Sequence, residues 1–297
     1  MVCLGVGMGN RDKNGSFMDN LPKVSVYIST FNRLERLKRA IRSVKEQDYK
    51  NIELIVCDDA STDETKSFME SLAESDSDII YLRNEENKGA CATRNLGIFK
   101  ATGHFITGLD DDDEFTPDRI RFLVDSWNDK YSFICCDFIE RFADGKQKNF
   151  YNKKKDIYFS DFRSILFENV ASNQIFTLTS RLRDIGGFNP EVKRLQDWDT
   201  WLRLANKYGG FLRKKESKYI MHHDHTINEE RVSKSYPLSR SLTDLLNRNK
   251  SMYQGSDRDF MQFLIDMSDK KVGIPRAAYW SFIKFNPKFI VKKLINR

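Results

Sequence analysis

The sequence predicts an α/β protein: a mostly parallel sheet with helices on both faces, then a smaller mixed region and a basic helical C-terminus. Three observations predict it. Between residues 24 and 126, apolar runs alternate four times with segments of helical period. The connections are helix-length, as parallel neighbours require. Polar clusters at Ser29–Arg33, Cys57–Asp63 and Gly108–Asp113 fall at the carboxyl ends of predicted strands, where such sheets bind ligands.

The elements follow in order. Val24–Ser29 is apolar enough for a buried strand. Leu34, Leu37, Ile41 and Val44 then recur at helical spacing among charged residues, which predicts an amphipathic helix. "IELIVCDD" (52–59) is a second strand, followed by a helix with Ser61 or Thr62 as its N-cap. "DIIYLRN" (78–84) is a third strand, and the helix after it is expected to close at Gly103. "HFITGLD" (104–110) is a fourth strand, and Thr116-Pro117 opens another helix. Beyond residue 130 the pattern changes to two strands around Asp144-Gly145, a short helix near "DFRSILFEN", and a strand and short helix ending at Gly186-Gly187. A helix over "RLQDWDTWLRLANKYGG" and one or two strands through "FLRKKESKYIMHHDH" come next.

Composition bounds the class. The 297 residues are 40% hydrophobic and 31% charged, with a net charge of +6. The stretch Lys270–Arg297 holds eight Lys/Arg and no acid, interleaved with aromatics, which suits an anionic membrane surface or a nucleic acid. No run of eighteen apolar residues predicts a transmembrane helix, and residues 1–20 read as a flexible leader in which Met18 is an alternative start. "GVGMGN" (5–10) lacks the preceding strand and following helix of a dinucleotide loop. Five cysteines without framework spacing suit reduced thiols in a cytosolic protein, and Cys135 and Cys136 should face opposite sides of a strand.

"GLDDDDEFTP" (108–117) is the sharpest local signal. Two carboxylates about 4 Å apart repel by roughly 4 kcal/mol at an effective dielectric near 20. Four in succession at a strand tip leave two readings, a solvated acidic turn or a divalent cation held by oxygen ligands, and a basic protein with such a cation suits a phosphate-bearing substrate.

"KVSVYISTFNRLERLKRAIRSVKEQDYKNIELIVCDDASTDET", "NKGACATRNLGIFKATGHFITGLDDDDEFTPDRI", "GGFNP" and "RLQDWDTWLRLA" occur in this order over about residues 24–225. Together they resemble a family 2 glycosyltransferase of GT-A fold, with its Rossmann-like sheet, and most nearly the subgroup that builds bacterial O-antigen units on undecaprenyl diphosphate. The resemblance implies an inverting hexosyltransferase that uses a UDP-sugar, with glucose the first candidate and galactose the next. It implies Mn²⁺ or Mg²⁺ as cofactor and a lipid-linked sugar as acceptor. It also implies a cytoplasmic enzyme peripheral to the inner face of the bacterial inner membrane. Residues 1–22 would be the leader, 23–130 the nucleotide-sugar half, 131–235 the acceptor and catalytic half, and 236–297 the helical region with possible membrane contact.

The resemblance assigns roles residue by residue. Ser29, Phe31 and Arg33 would line the uracil and ribose pocket, and Asp59 would accept the uracil N3–H. Arg94 would lie near the base or phosphates. With Pro117 setting the register, Asp112 would be the metal ligand and Asp110 the ribose-side partner. Asp111 would fill the variable position and Asp113 would support from behind, with a one-residue shift left open because the variable position is itself acidic. Asp197 would be the general base, although Gln196 stands where Glu is commoner, and Asp199 and Trp198 would support it or the acceptor. Within "HHDH", His223 would help hold the metal or diphosphate, with His222 and His225 as alternates, and Arg231 would contact phosphate from a mobile loop. Asp197 as a helix N-cap and Arg94 as a solvated helix arginine are the competing structural readings.

Two other functions compete. A nucleotide-sugar-binding protein without transfer would bind UDP and form no glycosidic product. A nucleic-acid binder would use the basic charge, but acidic strand tips would repel phosphates and no recognised motif supports it.

Overall fold

The computed structural model describes residues 21–172, 174–224 and 236–295. Strands β1 (Val24–Thr30), β2 (Ile52–Asp58), β3 (Ile79–Arg83) and β4 (Phe105–Asp110) pair in parallel in the order β3-β2-β1-β4. Helices α1 (Leu34–Lys45), α2 (Thr65–Ser75) and α3 (Ala90–Lys100) make the crossovers, as the alternation predicts. The sheet continues across residue 130. Next to β4 lies β9 (Phe176–Leu178), antiparallel, then β6 (Ile134–Phe142), the long β10 (Phe211–His223), and the two-residue β5 (Glu114–Phe115). β7 (Gln147–Asn149) folds back on β6 through the predicted Asp-Gly turn, and β8 (Ile157–Phe159) adds to β10.

Alternate residues of each strand feed opposite cores, so the strands read as continuous apolar runs. Val24, Val26, Ile28, Leu54, Val56 and Leu109 pack under α1, α2 and α4 (Arg119–Ser126). Tyr27, Ile55, Cys57 and Ile106 pack on the other face, against α3, α5 (Thr179–Asp184) and α6 (Gln196–Tyr208). Cys135 and Cys136 divide between the two cores as predicted, and the four described cysteines are free and buried. On α1, Leu37, Ile41 and Val44 are buried, each contributing about 2 kcal/mol from apolar burial. Four further helices follow: α7 (Leu238–Arg248), α8 (Ser256–Ser268), α9 (Ile274–Ile283) and α10 (Lys288–Ile295).

Three expectations about element ends are corrected. α2 begins at Thr65, later than a cap at Ser61 or Thr62 allows, and Asp63 accepts the Thr65 amide instead. α3 ends at Lys100 with Ala101 as its C-cap, whose amide bonds the Gly97 carbonyl; Gly103 is needed for close approach, since a Cβ there would stand 2.6 Å from the Ser25 amide nitrogen. Pro117 precedes α4 rather than starting it, because β5 occupies Glu114–Phe115 and Asp118 takes the N-cap position.

Candidate active site

Strand register gathers the three polar clusters. Ser29 stands opposite Cys57 on β2 and opposite Asp110 on β4, so the chain leaves all three strands at one edge. Asn32, in the left-handed region at φ 53°, accepts the Thr62 amide through Oδ1 and ties the first two loops together. A cleft of about 460 Å³ opens there, of a size that takes a small-molecule ligand. Ser29, Phe31, Arg33, Asp59, Arg94 and Asp110–Asp112 line it. A broader open depression of about 820 Å³ adjoins it, lined by Asn32–Arg36, Thr62–Glu64 and Ser67.

The four successive aspartates have four different environments. Asp110 Oδ1 accepts from Arg94 Nη2 at 3.0 Å and from Gln174 Nε2 at 2.9 Å. Asp111 turns inward, accepting from the Thr30 hydroxyl at 2.8 Å and from Arg33 at 3.1 Å. Burial pushes its carboxyl up to about 6 against the pull of Arg33. Asp112 remains on the cleft, 3.5 Å from Arg33 Nη1. Asp113 is buried and accepts from the Tyr219 hydroxyl at 2.8 Å and the His222 amide at 2.9 Å. Burial, then Asp112 and Asp110, raise Asp113 well above the usual carboxylate range. Asp59 is also buried, with Asn84 Nδ2 and the amides of Lys88 and Gly89 on its carboxylate, each at 2.8 Å.

Asp197 approaches from the other side. The turn before α6 puts Leu195 at φ 65°, and Asp197 falls in the first helical turn without capping it. Arg94 joins the two sides. It donates to Gln196 Oε1 at 3.0 Å, and the same Nη1 stands 3.5 Å from Asp197 Oδ1 while Nη2 holds Asp110. It also lies over the Phe188 ring at 5.1 Å, so it is a buried bridge and not a solvated helix arginine. Asp197 Oδ1 has no hydrogen-bond partner among the described residues. Burial pushes its carboxyl up to about 7, with Arg94 lowering and Asp110 raising it. A carboxylate in this state is a proton acceptor poised near neutral pH.

Other expected site residues lie elsewhere. Trp198 is buried and donates its indole N–H to the Ile165 carbonyl at 2.6 Å, a core role that leaves no ring face for a sugar. Asp199 turns away from Asp197, since two helical residues differ by about 200°. It accepts from Arg203 at 2.9 Å, Arg248 at 3.2 Å and Asn249 at 3.0 Å, clasping α6 to α7. His223 bonds Glu140 at 3.0 Å and stacks on Phe142, on the β6 side of β10, and not on the aspartates. The alternate His222 bonds Glu114, lowering that carboxyl's pKa. His225 and Arg231 lie outside the described residues. Gln174, Thr30 and Tyr219 are site residues without a motif signal.

Among the described residues, no cluster of three or more His, Cys, Asp or Glu side chains is placed to hold a metal. The donor chemistry nevertheless fits a hard divalent ion. Asp110 and Asp112 supply carboxylate oxygens on one cleft wall, and Mg²⁺ or Mn²⁺ sites often use one or two carboxylates and complete their shell with substrate phosphates.

Comparison with known proteins agrees with this architecture. Residues 25–185 match the model of glycosyl transferase family 2. A putative colanic acid biosynthesis glycosyl transferase of Escherichia coli is 34% identical over 247 residues, covering 80% of this chain and 87% of that one. A Campylobacter jejuni GalNAc(5)-diNAcBac-PP-undecaprenol beta-1,3-glucosyltransferase is 35% identical over 174 residues, covering 52% of this chain and 56% of that one. S. aureus TarS 1-349 in complex with UDP-GlcNAc superposes with a TM-score of 0.62 at 18% identity, over 76% of this chain and 66% of that one, a likeness of fold. With the family model spanning more than half of its length, the chain belongs to glycosyl transferase family 2, and it is an α/β glycosyltransferase of GT-A architecture.

Proposed function

We propose that the protein is an inverting hexosyltransferase that moves a sugar from a UDP-sugar to a hydroxyl of a lipid-diphosphate-linked sugar. The observation that carries this reading is Asp197, whose buried Oδ1 lacks a hydrogen-bond partner and whose carboxyl is pushed up to about 7 beside Arg94. Asp197 takes the proton of the acceptor hydroxyl as that oxygen attacks the anomeric carbon from the face opposite UDP. The bond from that carbon to the diphosphate oxygen breaks, and UDP leaves with the electron pair. Proton removal of this kind contributes about 10²–10⁴-fold. A divalent cation held by Asp110 and Asp112, when bound, offsets the charge that develops on the diphosphate. Arg94 keeps Asp110 and Asp197 in one arrangement, and Arg33 holds Asp111 and Asp112. Phe31, 42% exposed at the cleft, offers a ring face to the uracil, and Asp59 offers its remaining acceptor capacity to N3–H.

Glucose is the first candidate. The Campylobacter relative is named for β-1,3-glucosyl transfer to an undecaprenyl-diphosphate-linked acceptor, and a β product from an α-linked nucleotide sugar is an inversion. The test is UDP release from UDP-hexoses with Mn²⁺ or Mg²⁺. Release should require a synthetic diphosphate-lipid sugar acceptor and be lost in Asp112→Ala. Binding of UDP with no glycosidic product from any acceptor would favour a nucleotide-sugar-binding protein.

A further inference from the structure

We propose that the α9–α10 hairpin is a docking surface for an anionic phospholipid bilayer, a partner that deepens, and for its purpose rests on, the lipid-linked acceptor proposed above. The hairpin has an inner and an outer side. Inside, Trp280 and Phe289 pack on Phe260 and Phe263 of α8. Outside, Phe282 is 75% exposed, Phe285 90% and Ile295 76%, with Leu294 and Val291 between them. Such a run of large apolar side chains marks an interaction surface. Phe285 also sits at φ 48°, a left-handed conformation that costs a bulky residue energy, and the ring it meets, at 6.4 Å, is that of the exposed Phe282.

Charge decides the occupant. Lys288 and Lys292 line a shallow groove of about 350 Å³ with Pro287, Val291 and Ile295, so ammonium groups flank apolar floor. No acid occurs from Lys270 to Arg297. Protein interfaces are depleted in lysine at their centres, whereas exposed aromatics among lysines suit insertion beneath anionic headgroups. No described helix is long and apolar enough to cross a membrane, so the hairpin would lie on the surface. Its connection to the site is firm: α8 carries it, α8 packs with α7 in one core, and Arg248 and Asn249 at the end of α7 hold Asp199 on the helix that bears Asp197.

The test is co-sedimentation of the full chain with vesicles of equimolar phosphatidylglycerol and phosphatidylcholine, or of phosphatidylcholine alone. The protein should pellet with the anionic vesicles and be released by salt. Phe282→Ser, Phe285→Ser and Ile295→Ser together should weaken partition at least about tenfold. Lys288→Gln and Lys292→Gln should each weaken it by about fivefold. Transfer to a water-soluble acceptor and the circular dichroism spectrum should be unchanged in these variants. Failure of the wild type to pellet, or equal binding by the variants, would overturn the proposal. So would a dimer in the absence of lipid that the triple substitution dissociates, which would give the surface to a second copy. Transfer without vesicle binding sinks this inference alone. Vesicle binding without transfer from any UDP-sugar supports the surface and sinks the enzymatic reading.

Discussion

Arg94 Nη1 stands 3.5 Å from Asp197 Oδ1, while Nη2 of the same guanidinium donates to Asp110 at 3.0 Å. One cation therefore fixes the distance between the carboxylate of the Asp run and the carboxylate of the helix facing it. It also bears on the proton affinity of Asp197, the proposed base, because Arg94 lowers a pKa that burial raises to about 7. A base works deprotonated, so kcat/KM should rise with pH through about 7 and fall roughly tenfold per unit below it. Arg94→Gln removes the lowering partner, so its acid limb should move to higher pH. The pH–rate profiles of the two proteins check this.

The same burial has a stability consequence. The unfolded chain releases the Asp197 proton near 3.8 and the folded chain near 7, so the folded state binds more protons in between and loses stability as pH rises through that window. Asp197→Asn removes the buried charge. It should raise stability at about pH 8 by on the order of 4 kcal/mol, several degrees in Tm, and the gain should vanish towards about pH 4. Thermal melts of both proteins across this range measure it.

Asp199 should behave as a clasp and not as an acid. Asp199→Ala strands Arg203 and Arg248 at a buried junction, where Asp199 itself is 1% exposed. Removing one partner of a buried ion pair costs about 3–5 kcal/mol. Denaturant titration should show that loss, while the pH profile of the remaining folded enzyme keeps the wild-type shape.

Gly108→Ala should disturb the site through Gln174. A Cβ at Gly108 would stand 2.1 Å from Gln174 Oε1 and 2.6 Å from the Tyr27 ring. Gln174 must move and release Asp110, and overpacking of this kind costs about 1–3 kcal/mol. The expected result is a lower Tm together with a higher Mn²⁺ concentration for half-maximal transfer.

Much of residues 23–130 was legible because the signals there are local and periodic. Leu34, Leu37, Ile41 and Val44 announce α1, and strand ends at Ser29, Asp58 and Asp110 share an edge once the strands are parallel. The partners of those polar tips were less legible, because they come from distant sequence. Arg94 meets Gln196, 102 positions away, and Tyr219 meets Asp113, 106 positions away. Trp198 and Asp199 misled for a different reason. Adjacency to Asp197 in sequence is not adjacency on a helix, where each residue turns the side chain by about 100°. β5 escaped notice since two residues carry no period, yet its pairing with Tyr219 and Ile220 moves the start of α4.

The most direct test of the central claim is transfer from UDP-glucose to a synthetic diphosphate-lipid-linked sugar by wild type and Asp197→Asn, with UDP binding measured on both. The account predicts equal UDP affinity and transfer lower by about 10²–10⁴-fold in the variant. Transfer undiminished in Asp197→Asn would contradict it.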